Sequence, residues 1–189
     1  MAERQATRRA VFLDRDGVIN RASVRDGKPY PPRSLAELEI LPGVPEALAR
    51  LKAAGFRLIV VTNQPDVARG TQTRAEVEAM HAVLTAQLPI DEVRACYHDA
   101  ADDCDCRKPR AGMLLAAARD HQLDLSAGAS YMIGDRWRDI GAGQRAGCTS
   151  LFIDYQYAEP QPTAPYVRTA SLAEAVEWIL SRVQKGSDA

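Results

Sequence analysis

The sequence carries almost no net charge. Its 24 lysines and arginines stand against 25 aspartates and glutamates, leaving a formal −1. No overall field of one sign marks it for nucleic acid, and no basic, aromatic-studded face is evident. Long apolar runs are missing as well: nothing approaches the roughly 20 residues a membrane-crossing helix needs. The first ten residues, MAERQATRRA, lack the apolar stretch of a secretory leader. These absences lead us to expect a soluble, cytoplasmic protein with no nucleic-acid or membrane partner. Cysteine is scarce, four in 189 residues, which excludes the disulfide-stapled scaffold of small secreted chains. The apolar content of 46% suffices for one substantial core. We therefore expect one domain over residues 1–189, with its core at 9–183, working as a monomer.

What is present alternates. Ala10 to Leu13, Phe56 to Val61, Val93 to Tyr97, Tyr131 to Ile133 and Ser150 to Ile153 are short apolar or β-branched runs. Such runs suit strands covered on both faces of a parallel sheet. Between them lie helical signals. Val44, Ala47, Leu48 and Leu51 repeat at helical spacing ahead of Gly55. Thr73 with Glu76, and Ser171 with Glu174, read as capping boxes, and Met113 to His121 and Ile140 to Ala146 complete the series. Strand and helix alternating in this way predict a doubly wound, mainly parallel α/β fold of Rossmann-like type. Residues 21–42, with Pro29-Tyr30-Pro31-Pro32, are expected to form a loop over the site. The proline-rich stretch 155–170 should lead into a last helix, with a frayed tail after Gln184.

Ligands in such folds collect beyond the carboxyl ends of the strands. Three predicted strands end there in polar groups: Asp14, Thr62-Asn63 and Asp135. Asp14 and Asp16, two residues apart beyond an apolar strand, concentrate negative charge. Such a pair repels itself unless a hard divalent cation with oxygen ligands lies between. By itself the pair equally suits a strand-to-turn junction with two solvated aspartates.

A second constellation is Cys96-Tyr97-His98 followed by Cys104-Asp105-Cys106. Three thiolates and one imidazole in a C-x-H-x5-C-x-C spacing make a tetrahedral zinc set with no open position. Exposed thiols beside a surface histidine, or a redox pair at Cys104 and Cys106, are the competing readings. A closed site would be structural, pinning a loop over residues 96–108 that delivers Arg107 and Lys108. Cys148 reads as a small core residue, His81 and His121 as surface side chains on helices, and Trp137 as packing beside the Asp135 loop.

The stretch Val11-Phe12-Leu13-Asp14-Arg15-Asp16-Gly17-Val18 resembles the DxDx(T/V) signature of the haloacid dehalogenase-like phosphatases. The rest of that family's set follows in order: Thr62 ending a strand, Lys108 before a helix, Gly134-Asp135 ending a later strand, and Asp139. The resemblance spans residues 10–155. It implies Asp14 as nucleophile, Asp16 as general acid and base, and Thr62 and Lys108 on the phosphoryl oxygens. Magnesium would be held by Asp14, the backbone carbonyl of Asp16 and Asp135, with Gly134 and Asp139 in support.

The cysteine cluster, with Thr62-Asn63-Gln64 and Arg107-Lys108-Pro109, is similar to the small-capped, zinc-containing group within that family. That group acts on heptose bisphosphate and histidinol phosphate and closes its site by loops, without a separate cap domain. Ala68-Arg69-Gly70 and Gly112-Met113-Leu114-Leu115 resemble the heptose enzymes. The short gap between His98 and Cys104 resembles the histidinol phosphatases, and Pro65-Asp66 and Tyr97 depart from the heptose pattern. The resemblance implies D-glycero-D-manno-heptose 1,7-bisphosphate, cleaved at position 7, ahead of histidinol phosphate. A bisphosphate needs a second anion site, for which Arg107 and Asn63 are candidates and Arg69 and Arg15 weaker ones. The remaining alternative is a zinc-stabilised binding module on a phosphatase scaffold.

Overall fold

A parallel sheet of six strands carries everything that follows. The computed structural model describes residues 8–187, the last four of these by backbone alone. In chain order the elements are β1 (Ala10–Leu13), β2 (Ser23–Arg25), β3 (Lys28–Tyr30), α1 (Val44–Ala53), β4 (Arg57–Asn63), α2 (Arg74–Gln87), β5 (Glu92–Cys96), α3 (Gly112–His121), β6 (Tyr131–Gly134), α4 (Trp137–Ala146), β7 (Thr149–Ile153), β8 (Val167–Thr169) and α5 (Leu172–Ser187). The strand order is β5-β4-β1-β6-β7-β8, and every neighbouring pair is parallel.

Alternation along β1 explains the two layers. Val11 and Leu13 point into a core with Val44, Leu48 and Leu51 of α1 and Val176 and Ile179 of α5. Ala10 and Phe12 point the opposite way, against Met113, Leu114 and Ala117 of α3 and Ala142 of α4. Successive strand side chains alternate between faces, so a strand buried on both sides needs an uninterrupted apolar run. All four residues of β1 are fully buried, and the fold is doubly wound as the alternation predicts.

The local signals hold where the interaction is local. Thr73 Oγ1 accepts from Glu76 N while Glu76 reaches back to Thr73 N, closing the capping box of α2. Ser171 Oγ accepts from Glu174 N, but Glu174 bonds the amide of Ala170 instead of the cap's own. Cys148 is buried just ahead of β7, as a small core residue should be.

Three expectations change. Residues 21–42 are more than a loop, because β2 and β3 form an antiparallel hairpin there. The stretch 155–170 contains β8, whose partner is β7. Both were invisible because three-residue strands carry no measurable period, and their pairing is decided by distant chain. The helix α5 runs on past Gln184 to Ser187. Residues 1–7, the greater part of the polar N-terminal stretch, and residues 188–189 of the expected frayed tail lie outside the described residues. Among those described, no helix is long and apolar enough to cross a membrane, and no cap domain interrupts the chain.

Candidate active site

Asp14 sits one residue beyond β1, where its amide donates to Ile133 O of β6 at 2.9 Å. It faces Lys108, which arrives on the loop after β5. Lys108 Nζ lies 2.8 Å from Asp14 Oδ1, 2.6 Å from Asp139 Oδ1 and 2.7 Å from Val61 O. The lysine is 2% exposed, and its two carboxylate neighbours hold its pKa above the ordinary value against the opposing effect of burial.

Asp14, Asp135 and Asp139 bring one carboxylate oxygen each within 4.8 Å of one another. Burial pushes the Asp14 carboxyl up to about 6; Asp139 adds to the rise and Lys108 opposes it. Burial, then the charges of Asp14 and Asp139, push Asp135 well above the carboxylate range. Three buried carboxylates against one ammonium leave negative charge uncompensated, and Asp135 Oδ1 is buried without a hydrogen-bond partner among the described residues. These donors fit a hard divalent cation with oxygen ligands.

Close packing makes this assembly possible. A Cβ at Gly134 would lie 2.1 Å from Asp139 Cβ, so only glycine lets α4 begin so near the end of β6. Asp139 Oδ2 accepts from Arg136 N at 2.9 Å, starting α4 three residues before the predicted Ile140.

Asp16 lies across the same cleft of about 410 Å³. Its Oδ1 accepts from Arg15 Nε, Arg15 Nη2 and Asn20 Nδ2, and its Oδ2 from Gln64 Nε2 at 2.8 Å. Arg15 is therefore no substrate ligand and no surface arginine: it is fully buried and spent on Asp16. His81 is corrected with it. Instead of facing solvent it is buried on α2, its Nε2 3.1 Å from Arg15 Nη1. His121, by contrast, is half-buried beside Glu92. Trp137 opens α4 two residues after Asp135, under the guanidinium of Arg138.

The other expected residues divide. Thr62 is buried at the end of β4, its hydroxyl accepting from Gln64 Nε2 at 2.8 Å, and does not line the cleft. Asn63 lines it, but both halves of its amide hold the backbone of Lys108, each at 3.0 Å. Arg69 lines it while forking onto Asp99 through two 2.8 Å bonds, which hold the Asp99 carboxyl down at about 2. Arg107 donates to His98 O at 3.1 Å and still faces the cleft. Lys28, Arg136, Arg138 and Glu159 also line it. Lys28 and Glu159 were missed because they come from segments with no motif of their own, and Arg136 and Arg138 because the motif around them was read only for Gly134, Asp135 and Asp139.

Beside the cleft, the four cluster residues converge. Cys96 Sγ lies 3.1 Å from Cys106 Sγ and 3.6 Å from Cys104 Sγ, and His98 Nδ1 lies 3.3 Å from Cys106 Sγ and 3.7 Å from Cys96 Sγ. Metal–sulfur bonds of about 2.3 Å in a tetrahedron place ligand atoms about 3.5–3.8 Å apart; the contacts of Cys106 are a few tenths of an ångström shorter, and a small outward shift of that thiol makes the set fit a four-coordinate metal. All four cysteines are free thiols. Burial pushes the Cys96 thiol upward, which a bound cation would reverse.

A buried Asp–Lys pair at the carboxyl end of a parallel sheet, ringed by further aspartates, defines a hydrolase site of the haloacid dehalogenase type. The chain belongs to the haloacid dehalogenase-like hydrolases: residues 30–147 match that family. It is 32% identical to a D-glycero-beta-D-manno-heptose-1,7-bisphosphate 7-phosphatase of Helicobacter pylori, over 92% of this chain and 98% of the relative. It is 38% identical to the enzyme of the same name from Escherichia coli, over 91% and 88%. Among solved structures it resembles the D,D-heptose 1,7-bisphosphate phosphatase of B. bronchiseptica complexed with magnesium and phosphate. There the TM-score is 0.78 at 31% identity, covering 92% of this chain and 98% of that one.

Proposed function

We propose that this chain is a magnesium-dependent phosphatase that removes the 7-phosphate of D-glycero-D-manno-heptose 1,7-bisphosphate through an aspartyl-phosphate on Asp14. The observation that carries the reading is the Lys108–Asp14 contact of 2.8 Å at the floor of a cleft lined by Asp16 and several cations. It is supported by relatives of that name whose sequences align along nearly the whole chain.

In this reading Asp14 attacks phosphorus in line, and the ester oxygen leaves as Asp16 gives it a proton. Asp16, then a carboxylate, takes a proton from the water that hydrolyses the acyl phosphate and frees Asp14. Its four hydrogen bonds hold it across the cleft for both transfers. Lys108 stabilises the charge on the transferring group. Thr62 acts at one remove, its hydroxyl accepting from the Gln64 amide that also holds Asp16, and Asn63 acts by holding the Lys108 backbone. Magnesium would be held by Asp14, Asp135 and the backbone carbonyl of Asp16, with Gly134 and Asp139 supporting, and would supply neutralisation of charge on the phosphoryl oxygens. Zinc would be held by Cys96, His98, Cys104 and Cys106 and would be structural. Arg107 receives the second phosphate, with Lys28 and Arg138 at hand and Arg69 bracing the rim.

The free thiols of the zinc set suit a reducing compartment, so we place the enzyme in the cytoplasm, as a single-domain monomer. Phosphate release from both anomers of the heptose bisphosphate and from histidinol phosphate tests the substrate. The highest kcat/KM is expected for one heptose anomer, with turnover lost in Asp14→Asn. Preference for histidinol phosphate would replace the substrate, whereas normal turnover by Asp14→Asn would remove the mechanism.

A further inference from the structure

Tyr157 belongs to no motif in the sequence. It lies on the irregular strap between β7 and β8, and its hydroxyl donates to Asp135 Oδ2 at 3.0 Å. The same oxygen is also hemmed in by the backbone of the turn after β1. A Cβ at Gly17 would stand 1.9 Å from Asp135 Oδ2, and Gly17 has a φ of +85°, so only glycine allows the turn after β1 to run this close. Asp135 Oδ1 is in the opposite condition: buried, with no hydrogen-bond partner among the described residues. A buried carboxylate oxygen without a partner costs stability until a cation or donor meets it.

We propose that Tyr157 is a positioning residue for the divalent cation: by engaging Oδ2 of Asp135 it leaves Oδ1 as the oxygen presented to the metal. This rests on the magnesium reading above. A carboxylate rotates about its Cβ–Cγ bond and can meet a cation with either oxygen or with both. A fixed donor on one oxygen selects a single orientation, and outer partners of this kind are worth about ten- to a hundredfold in metal affinity. The strap that carries Tyr157 is tied to the β2–β3 turn by Ala158 N donating to Gly27 O at 2.8 Å. The donor therefore reaches Asp135 on chain that is fastened to the rim of the cleft.

The test is direct titration of the full chain with manganese, reading free Mn2+ by paramagnetic resonance, for wild type, Tyr157→Phe, Tyr157→Gln and Asp135→Asn. Tyr157→Phe should bind about tenfold more weakly or worse, while the metal-free protein stays folded and melts somewhat lower because Asp135 Oδ2 has lost its donor. The magnesium concentration giving half-maximal turnover should rise in the same proportion. Tyr157→Gln, which keeps a donor on a shorter arm, should fall between Phe and wild type. Asp135→Asn should lose the site. Wild-type affinity in Tyr157→Phe, or a Gln variant no tighter than Phe, overturns the assignment while leaving the metal site intact. Should Phe fail to fold, wild-type affinity in the Gln variant overturns it equally. Undiminished binding by Asp135→Asn would instead remove the metal reading itself, and the role of Tyr157 with it.

Discussion

Arg15 donates from both Nε and Nη2 to one oxygen of Asp16, at 3.1 and 3.0 Å, from a position with no solvent exposure at all. Both bonds converge on Oδ1 while Gln64 Nε2 holds Oδ2, so each oxygen of the carboxylate proposed to deliver and recover a proton is fixed. Arg15→Lys keeps the charge but offers no fork. We expect kcat to fall roughly ten- to a hundredfold, a part of what a general acid contributes, with KM changed less. Arg15→Ala strands Asp16 and His81 together and should cost about 3 kcal/mol of stability, measured by urea unfolding. Wild-type kcat in Arg15→Lys would show that the fork has no bearing on Asp16.

His81 makes the fold sensitive to acid. Arginine can only donate, so His81 Nε2 accepts from Arg15 Nη1 and the ring is neutral with its proton on Nδ1. Burial, then the Arg15 charge, lower its pKa from 6.5 to about 4, with Asp16 and Glu78 opposing. Because the folded pKa is the lower one, the unfolded chain takes up the proton first as pH falls. The stability is whole above pH 6.5 and is lost progressively down to about 4, by no more than about 3 kcal/mol. Denaturant midpoints at several pH values for wild type and His81→Gln should converge as pH falls through this window. Parallel curves would rule the histidine out as their cause.

The cysteine cluster should behave as a staple for the Lys108 loop. Metal analysis of reduced protein is expected to find about one zinc per chain. Cys104→Ala should lower the melting temperature by several degrees while turnover per folded molecule changes only about threefold. A zinc-free wild-type protein with unchanged stability would leave the four residues without this role.

Much of the site was legible because it lies at strand ends. Asp14, Thr62 and Asp135 each follow an apolar run, and a parallel sheet gathers such ends in one place whatever the intervening chain does. The cysteine cluster was legible for a simpler reason, since its four residues fall within an eleven-residue stretch. Arg15 and His81 were misread because nothing in their neighbourhood announces burial. They are 66 positions apart, and their pairing exists only once α2 is laid over the turn after β1. Tyr157 and Glu159 escaped for the same cause, and Gln64 was read only as part of Thr62-Asn63-Gln64 and not as the link between Thr62 and Asp16.

The sequence by itself determined five of the sheet's six strands, the order of its chemical groups and the kinds of metal they could take. These follow from period, spacing and donor type, which are properties of short stretches. Tertiary structure alone decided which charges are buried together and which groups partner them. It paired Lys108 with both Asp14 and Asp139, closed Arg15 onto Asp16, and left one oxygen of Asp135 free while Tyr157 took the other. Burial and hydrogen bonding depend on what the distant chain brings to the same few ångströms, and no local pattern encodes that.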